Sequence, residues 1–474
     1  MDVETAGKQT TAKPSSSSSS LFRYNSPLVQ VILIGLVCLC VPAMFDVVTG
    51  MGGGGQTDTT VVSNANTALY TTFAVFSVLA GGIYNIAGPR IILFASCSAY
   101  ILYAGSFLCY NHYQHQSFTI AAGVILGVGS SLLWAVQGAM MMSYPPANRK
   151  GSYISLFWCI FSMGSVIGGW IPFGLNYRRG DTDATVTDST YIGFMAFMTI
   201  GTLLTLAILP PRKVVRDDGS SCTNIKYSSV SIEIVEISKL FLNWKMLLIV
   251  PAAWTSNFYY TYQYNNVNGV LFNLRTRGLN SVMYWVAEIF SSMMIAYVFD
   301  FSSKSRRTRG LAGIGVAALL GTGVWAGGLV NQLGYSRDDQ PRRLDFKDSG
   351  SAFVGPFALF CSYGFVDAMF QSMIYWVIGA LANDSETLSR YTGFFKGLQS
   401  AGAAVAWQID SRKVPYLNQL IVNWVMTTVS YPLLAALVLL AVKDEHKVEG
   451  ETNSSGADFS PAIPASKSDA DGVA

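Results

Sequence analysis

The chain has 474 residues, of which 51% are hydrophobic and only 12% charged, against about a quarter charged in soluble proteins. The net charge of +3 is small and spread through loops, so the basic footprint of a nucleic-acid partner is absent. Apolar runs of about twenty residues, the length that crosses a bilayer, recur between residues 28 and 442, which makes the lipid bilayer the solvent of this chain.

Taken in order, residues 1–27 carry six consecutive serines at 15–20 and read as a disordered cytosolic tail. Membrane helices are predicted near 28–48, 67–87, 91–110, 117–142, 152–174 and 191–209, an N-terminal six-helix half spanning 28–209. Residues 210–245 form the only long polar inner connection, a cytosolic linker whose VSIEIVEISKLFL portion reads as an amphipathic surface helix. A second half spanning 246–442 follows, with helices near 246–272, 281–300, 311–333, 351–382, 391–410 and 417–442. Residues 443–474 are a second polar tail. With both tails cytosolic, Lys and Arg favour the inner side by roughly two to one, as the positive-inside rule requires. The expected fold class is therefore an all-α polytopic membrane protein of the major-facilitator type, with two six-helix halves around a central cavity.

Polar residues inside such helices are the candidates for function, because burying them unpaired costs several kcal/mol each. In the first helix Asp46 precedes Met51-Gly-Gly-Gly-Gly-Gln56, which is either a break exposing carbonyls or a plain flexible outer loop. In the fourth, Trp134 and Gln137 share a helical face, suited to an organic ligand or to packing. In the fifth, Gly164, Gly168 and Gly169 form a small-residue pattern that admits a close neighbour. The seventh carries NFYYTYQYNNVNG, where Asn257, Tyr260, Tyr264 and Asn268 lie on one face. That face borders a cavity, or its tyrosines belong to an interfacial belt, and the NNVNG end is poised to unwind.

Glu288 and Asp367 lie well inside the eighth and tenth helices, and a proton route would use one of them. Lys396, in the eleventh, either pairs with Asp367 or snorkels to the interface. Asn85 with Arg90, and Asp300 with Arg306, occupy matching positions after the second and eighth helices. They resemble the inner-loop latch of major-facilitator proteins, although Asn85 stands where that motif has an acid.

No phosphate-binding loop, nucleophile elbow, HExxH or CxxC is present, so no enzyme, metal or cofactor is expected. The strings MGGGGQTD (51–58), YNIAGPR (84–90), LLWAVQGAMMMSYPPANRKG (132–151), FWCIFSMGSVIGGWIPFGLN (157–176) and YNNVNGVLFNLRTRGLNS (264–281) resemble the fungal branch of the "uncoordinated ninety-three"-like family. That resemblance implies a major-facilitator fold over about residues 28–440. For activity it implies two alternatives. One is a secondary transporter of a small solute or ion, contacting it through Asn257, Tyr260, Tyr264, Asn268, Trp134 and Gln137, with Asp367, Glu288, Lys396 or Asp46 in coupling or gating. The other is a non-transporting partner that regulates or escorts another membrane protein. Plasma membrane and internal membranes both fit.

Overall fold

The computed structural model describes residues 23–443, apart from 57, 78, 145–149, 179–185, 217–218, 220–229, 301–304, 340 and 383–384. The tails and the turn at 145–149 therefore lie outside the described residues, as do the side chains of Asn85 and Asp300.

The first pass is broken. Helix α1 (Pro27–Cys40) opens with Ser26, whose hydroxyl accepts from Val29 N at 3.3 Å, and with Pro27 in the first turn. It stops before Pro42, whose ring would clash with the carbonyl of Cys38, and α2 (Pro42–Gly50) resumes after Val41. Asp46 thus sits in the middle of α2 rather than at a helix end. The second pass is α3 (Thr59–Phe76), capped by Asp58. It starts earlier than predicted because the Ser and Asn residues that disguise it as a loop are partnered by other helices. Tyr103 OH donates to Asn66 Oδ1 at 2.6 Å, and Ser63 Oγ to Asp410 Oδ2 at 3.2 Å. Residues 80–87, expected to close that pass, begin α4 (Ala80–Tyr113) instead, which is interrupted at Gly88 (φ +75°) before Pro89.

Helices α5 (Gln116–Ser143), α6 (Lys150–Leu175) and α7 (Asp188–Leu204) complete the first six passes, and α8 (Val230–Leu240) is the short helix of the connection. The seventh pass is α9 (Trp244–Thr255) followed by a π-helical segment, Tyr262–Gly269. Helices α10 (Leu274–Asp300), α11 (Arg306–Gln332), α12 (Ser351–Leu381), α13 (Ser385–Ser411) and α14 (Tyr416–Ala441) finish the bundle.

Among the described residues nine helices are long and apolar enough to cross a membrane. The polar α3, α13 and the α9–π pair bring the passes to twelve. Exposed Ile91, Phe290, Leu319, Val330 and Leu440 form an apolar outer surface suited to lipid. The protein is a multi-pass integral membrane protein.

Buried apolar side chains form two clusters, one drawn mainly from 31–214 and the other from 240–442. The halves meet where α3 packs on α13 and α6 on α10. The small-residue pattern of α6 makes the second contact possible. A Cβ on Gly168 would come within 2.8 Å of the Met44 Cε, and one on Gly169 within 2.7 Å of Val282 Cγ2. One face of α6 therefore approaches α2 of its own half and α10 of the other.

Candidate functional site

Two polar constellations stand out, one joining the halves and one built within the C-terminal half. The first seals one end of the bundle, the outer end on the orientation expected from Lys and Arg. The glycine run is not a flexible loop: Gly50 to Gln56 are all buried. Within the N-terminal half, Tyr191 OH donates to Gly54 O (2.7 Å) and Val186 N to Gly55 O (2.9 Å). Across the gap, Gly53 N donates to Asn265 Oδ1 (2.7 Å) and Asn268 Nδ2 to Gly50 O (2.8 Å).

The NNVNG end does not unwind into coil. It widens into the π-helix, whose extra residue per turn leaves Asn265, Asn266 and Asn268 each bonded to a different element. Asn266 Nδ2 donates to Gln419 Oε1 at 2.9 Å, and Asn280 Nδ2 donates to Asn268 Oδ1 at 2.9 Å. Gly52 has φ +77° and ψ +130°, and a Cβ there would collide with the Tyr264 carbonyl oxygen. The glycines allow backbone to meet backbone at the seal.

Asp410 anchors the same end. Only 1% exposed, it accepts from Arg337 (2.6 Å), Asn265 Nδ2 (2.9 Å), Ser63 Oγ (3.2 Å) and Gln419 Nε2 (3.4 Å), while Arg337 also lies 4.2 Å from the centre of the Tyr416 ring. Ser63 and Asn265 come from opposite halves, so one carboxylate ties them together. Asp410 is inconspicuous in the sequence because the predicted helix ends at that residue. Helix α13 runs one residue further, and the cation that finds Asp410 lies 73 residues away.

The second constellation is deeper. Asp367 Oδ1 accepts from Tyr259 OH (2.6 Å) and from Gln371 Nε2 (2.8 Å). Tyr284 OH lies 3.1 Å from Asp367 Oδ2 and 2.9 Å from Gln263 Oε1, and its single proton serves one of them at a time. Glu288, also buried, lies within electrostatic reach of Asp367, and its Oε1 has no hydrogen-bond partner among the described residues. Two buried carboxyl groups in one site repel one another when both are charged.

Lys396 does not pair with Asp367, contrary to one of the sequence expectations. Its ammonium donates to Gln399 Oε1 (2.8 Å), Gln399 Nε2 reaches Gln371 Oε1 (3.3 Å), and Gln371 reaches Asp367. Two amides separate the charges because Lys396 turns toward rings instead, with Trp134, Tyr375 and Phe395 centred 5.5–5.6 Å from its Nζ. Trp134 stacks at 6.3 Å on Trp158, which lies 6.2 Å from Tyr375 of the other half.

The remaining expected residues divide. Asp46, Asn257, Tyr260 and Trp134 are half-buried, and Gln137 is buried. Tyr264 is buried and stacked on Tyr260 at 5.1 Å, while Asn268 is committed to the seal. Of the latch, Arg90 Nε donates to Ile208 O (2.6 Å) and Arg306 lies 3.5 Å from Gly379 O. Among the described residues no cluster of His, Cys, Asp and Glu is arranged to hold a metal.

Residues 63–440 match the family described as "Ion channel regulatory protein UNC-93". The chain is 60% identical to "UNC93-like protein 1" of Arabidopsis thaliana, an alignment covering 94% of this chain and 98% of that protein. It is 36% identical to an UNC93-like protein of Schizosaccharomyces pombe, covering 94% and 91%. The plant relative shares more than the fungal one, so the comparisons carry the family and not the fungal branch. Among solved structures the D-xylose–proton symporter superposes with a TM-score of 0.58 over 88% of this chain and 97% of that one. At 12% identity this likeness concerns the fold alone, and that fold is the major-facilitator type.

Proposed function

The chain belongs to the UNC-93 family on a major-facilitator fold, and from that premise we propose that it is a secondary carrier of a small solute, linked to protons. The observation that carries this reading is the Asp367–Glu288 pair. Two buried carboxyl groups sharing a site with two tyrosines and a glutamine in the middle of a membrane bundle form a costly arrangement to keep for packing alone, one that a single proton relieves. It is suited to a cycle in which binding or release of that proton rearranges the bonds of Tyr259, Tyr284 and Gln371. Those bonds join α10, α12 and the turn after α9 to the π-helix, which forms one side of the seal. Opening the seal would release Gly53 and Gly50 from Asn265 and Asn268 and part Ser63 from Asp410, so a rocking of the halves breaks a short set of hydrogen bonds rather than a packed core.

The description of the matching family supports a second reading, a membrane protein that regulates another. The two are separated by charge-movement recordings from proteoliposomes exposed to pooled metabolites under a pH step. A carrier gives solute-dependent currents that vanish in a folded Asp367→Asn variant. Wild-type protein silent to every pool, or currents unchanged in Asp367→Asn, would turn the balance to the regulatory reading.

A further inference from the structure

Tyr284 stands between the Asp367 carboxyl and the π-helix. Its hydroxyl lies 3.1 Å from Asp367 Oδ2 and 2.9 Å from Gln263 Oε1, an oxygen with no other hydrogen-bond donor among the described residues. Gln263 belongs to the same π-helix as Asn265 and Asn268, which hold the glycine run. The ring of Tyr284 is fixed in place. It is 1% exposed and packs at 5.2 Å on Phe360 and at 5.7 Å on both Tyr264 and Trp285. Its backbone is held closely too, since a Cβ on Gly364 of α12 would lie 2.5 Å from the Tyr284 carbonyl oxygen. Rotation of the O–H bond is the freedom that remains.

One O–H facing two acceptors serves the stronger of them. An ionised Asp367 takes it, because a hydrogen bond to a carboxylate is about twice as strong as one between neutral groups. The Gln263 oxygen is then buried without a donor. A proton arriving from water reverses the order. Asp367 Oδ1 already accepts from Tyr259 OH and from Gln371 Nε2, an amide nitrogen that cannot accept in return. The proton therefore settles on Oδ2, where the Tyr284 oxygen accepts it and the Tyr284 O–H turns to Gln263. Tyr284 keeps its own proton throughout, and only the direction of its O–H bond changes.

We propose that Tyr284 is the positioning residue that couples proton occupancy of Asp367 to the seal, with occupancy favouring the closed form. This deepens the carrier reading and rests on its proton-linked carboxyl pair. With the proton bound, Asp367, Tyr284 and Gln263 form one chain of hydrogen bonds into the π-helix. Without it the π-helix carries an unserved buried oxygen, a cost relieved when the segment loosens and water reaches it. The titratable groups facing Asp367 are Tyr259 and Tyr260 from the turn after α9, Tyr264 from the π-helix, Tyr284 and Glu288 from α10, Asp46 from α2 and, across two amides, Lys396 from α13. Glu288 and Asp46 are carboxyl groups as well, so the test isolates Asp367 by substitution.

The test is hydrogen–deuterium exchange of the full-length chain in nanodiscs across a pH series, read at the peptides covering 262–269 and 50–56. Each rate is divided by that of Asp367→Asn at the same pH, which cancels the pH dependence of exchange itself and of the other facing groups. Asparagine also mimics the proton-loaded carboxyl, since its NH2 donates where Oδ2–H would. Wild type should match Asp367→Asn at low pH, then exchange about five-fold faster or more once Asp367 has lost its proton, the effect of one buried acceptor left unserved. Tyr284→Phe should exchange faster than Asp367→Asn at every pH, with no step. Gln263→Leu leaves the bonds to Asp367 in place and should abolish the step too. A ratio that falls as pH rises would overturn the assignment, and so would a step that survives Tyr284→Phe and Gln263→Leu. A ratio independent of pH, beside solute-dependent currents that vanish in Asp367→Asn, removes the switch and spares the carrier. A step that depends on Tyr284, with no solute-dependent current, removes the carrier and spares the switch.

Discussion

Replacing Gly52 with alanine should open the seal without unfolding the bundle. Gly52 holds φ +77° and ψ +130°, a conformation in which an L side chain is strained by about 1–3 kcal/mol. The new Cβ would also collide with the Tyr264 carbonyl oxygen and lie 2.7 Å from the Gly269 Cα, so both contacts are with backbone that cannot rotate aside. Relief requires the glycine run to lift from the π-helix. That weakens the bonds from Gly53 N to Asn265 and from Asn268 to Gly50 O, each worth about 0.5–1.5 kcal/mol net. Strain in the closed form and loss of both bonds together shift the closed-to-open balance by about 2–6 kcal/mol. At about 1.4 kcal/mol per factor of ten, the open population rises roughly 30- to 20,000-fold.

Hydrogen–deuterium exchange in lipid nanodiscs reads this directly. The peptide covering 50–56 and the one covering 262–269 should lose protection together, while the helix-core amides of α5 and α12 keep theirs. Gly138→Ala is the control, since nothing lies within 4 Å of a Cβ at that position. Unchanged protection at 50–56 in a folded Gly52→Ala protein would show that the glycine contact does not hold the seal. Loss of protection throughout the bundle would show that it holds the fold instead.

Two further outcomes follow from the ion pairs. Arg337→Met strips Asp410 of its cation and leaves a buried carboxylate with hydrogen-bond donors alone, so it should lower stability by about 3–5 kcal/mol. Arg337→Met combined with Asp410→Asn should recover part of that loss, and a double variant no more stable than the single one would refute the pairing. In the loop after α11, burial alone would raise the pKa of Asp345, but Arg275, the Lys347 N–H and Asn273 outweigh it and hold the group below its ordinary value. The carboxylate therefore contributes stability above its unfolded-state pKa, and that contribution is lost as pH falls through the lower folded-state value. Asp345→Asn should lower the melting temperature at pH 7, and its difference from wild type should shrink on acidification through pH 4 and below. A difference independent of pH would refute the assignment.

Much of this protein was legible in its sequence. Runs of apolar residues long enough to cross a bilayer fix the number of passes, because hydrocarbon forces every backbone polar group into a helix. Asp367, Glu288 and Lys396 were conspicuous because charge is scarce in such helices, and the polar seventh pass does border the interface between halves. What the sequence could not decide was partnership. Lys396 and Asp367 sit on adjacent passes and invite pairing, yet ring positions contributed by α5 and α12 turn the lysine away and insert two amides. The glycine run read as flexible because glycine permits many backbone shapes. Docked on the π-helix, the same freedom serves close approach. Asp410 looked like a helix end until Arg337, Ser63 and Asn265 converged on it. Hydrophobic periodicity is local and survives in a one-dimensional reading, whereas a hydrogen bond between residues hundreds of positions apart exists only once the halves have met.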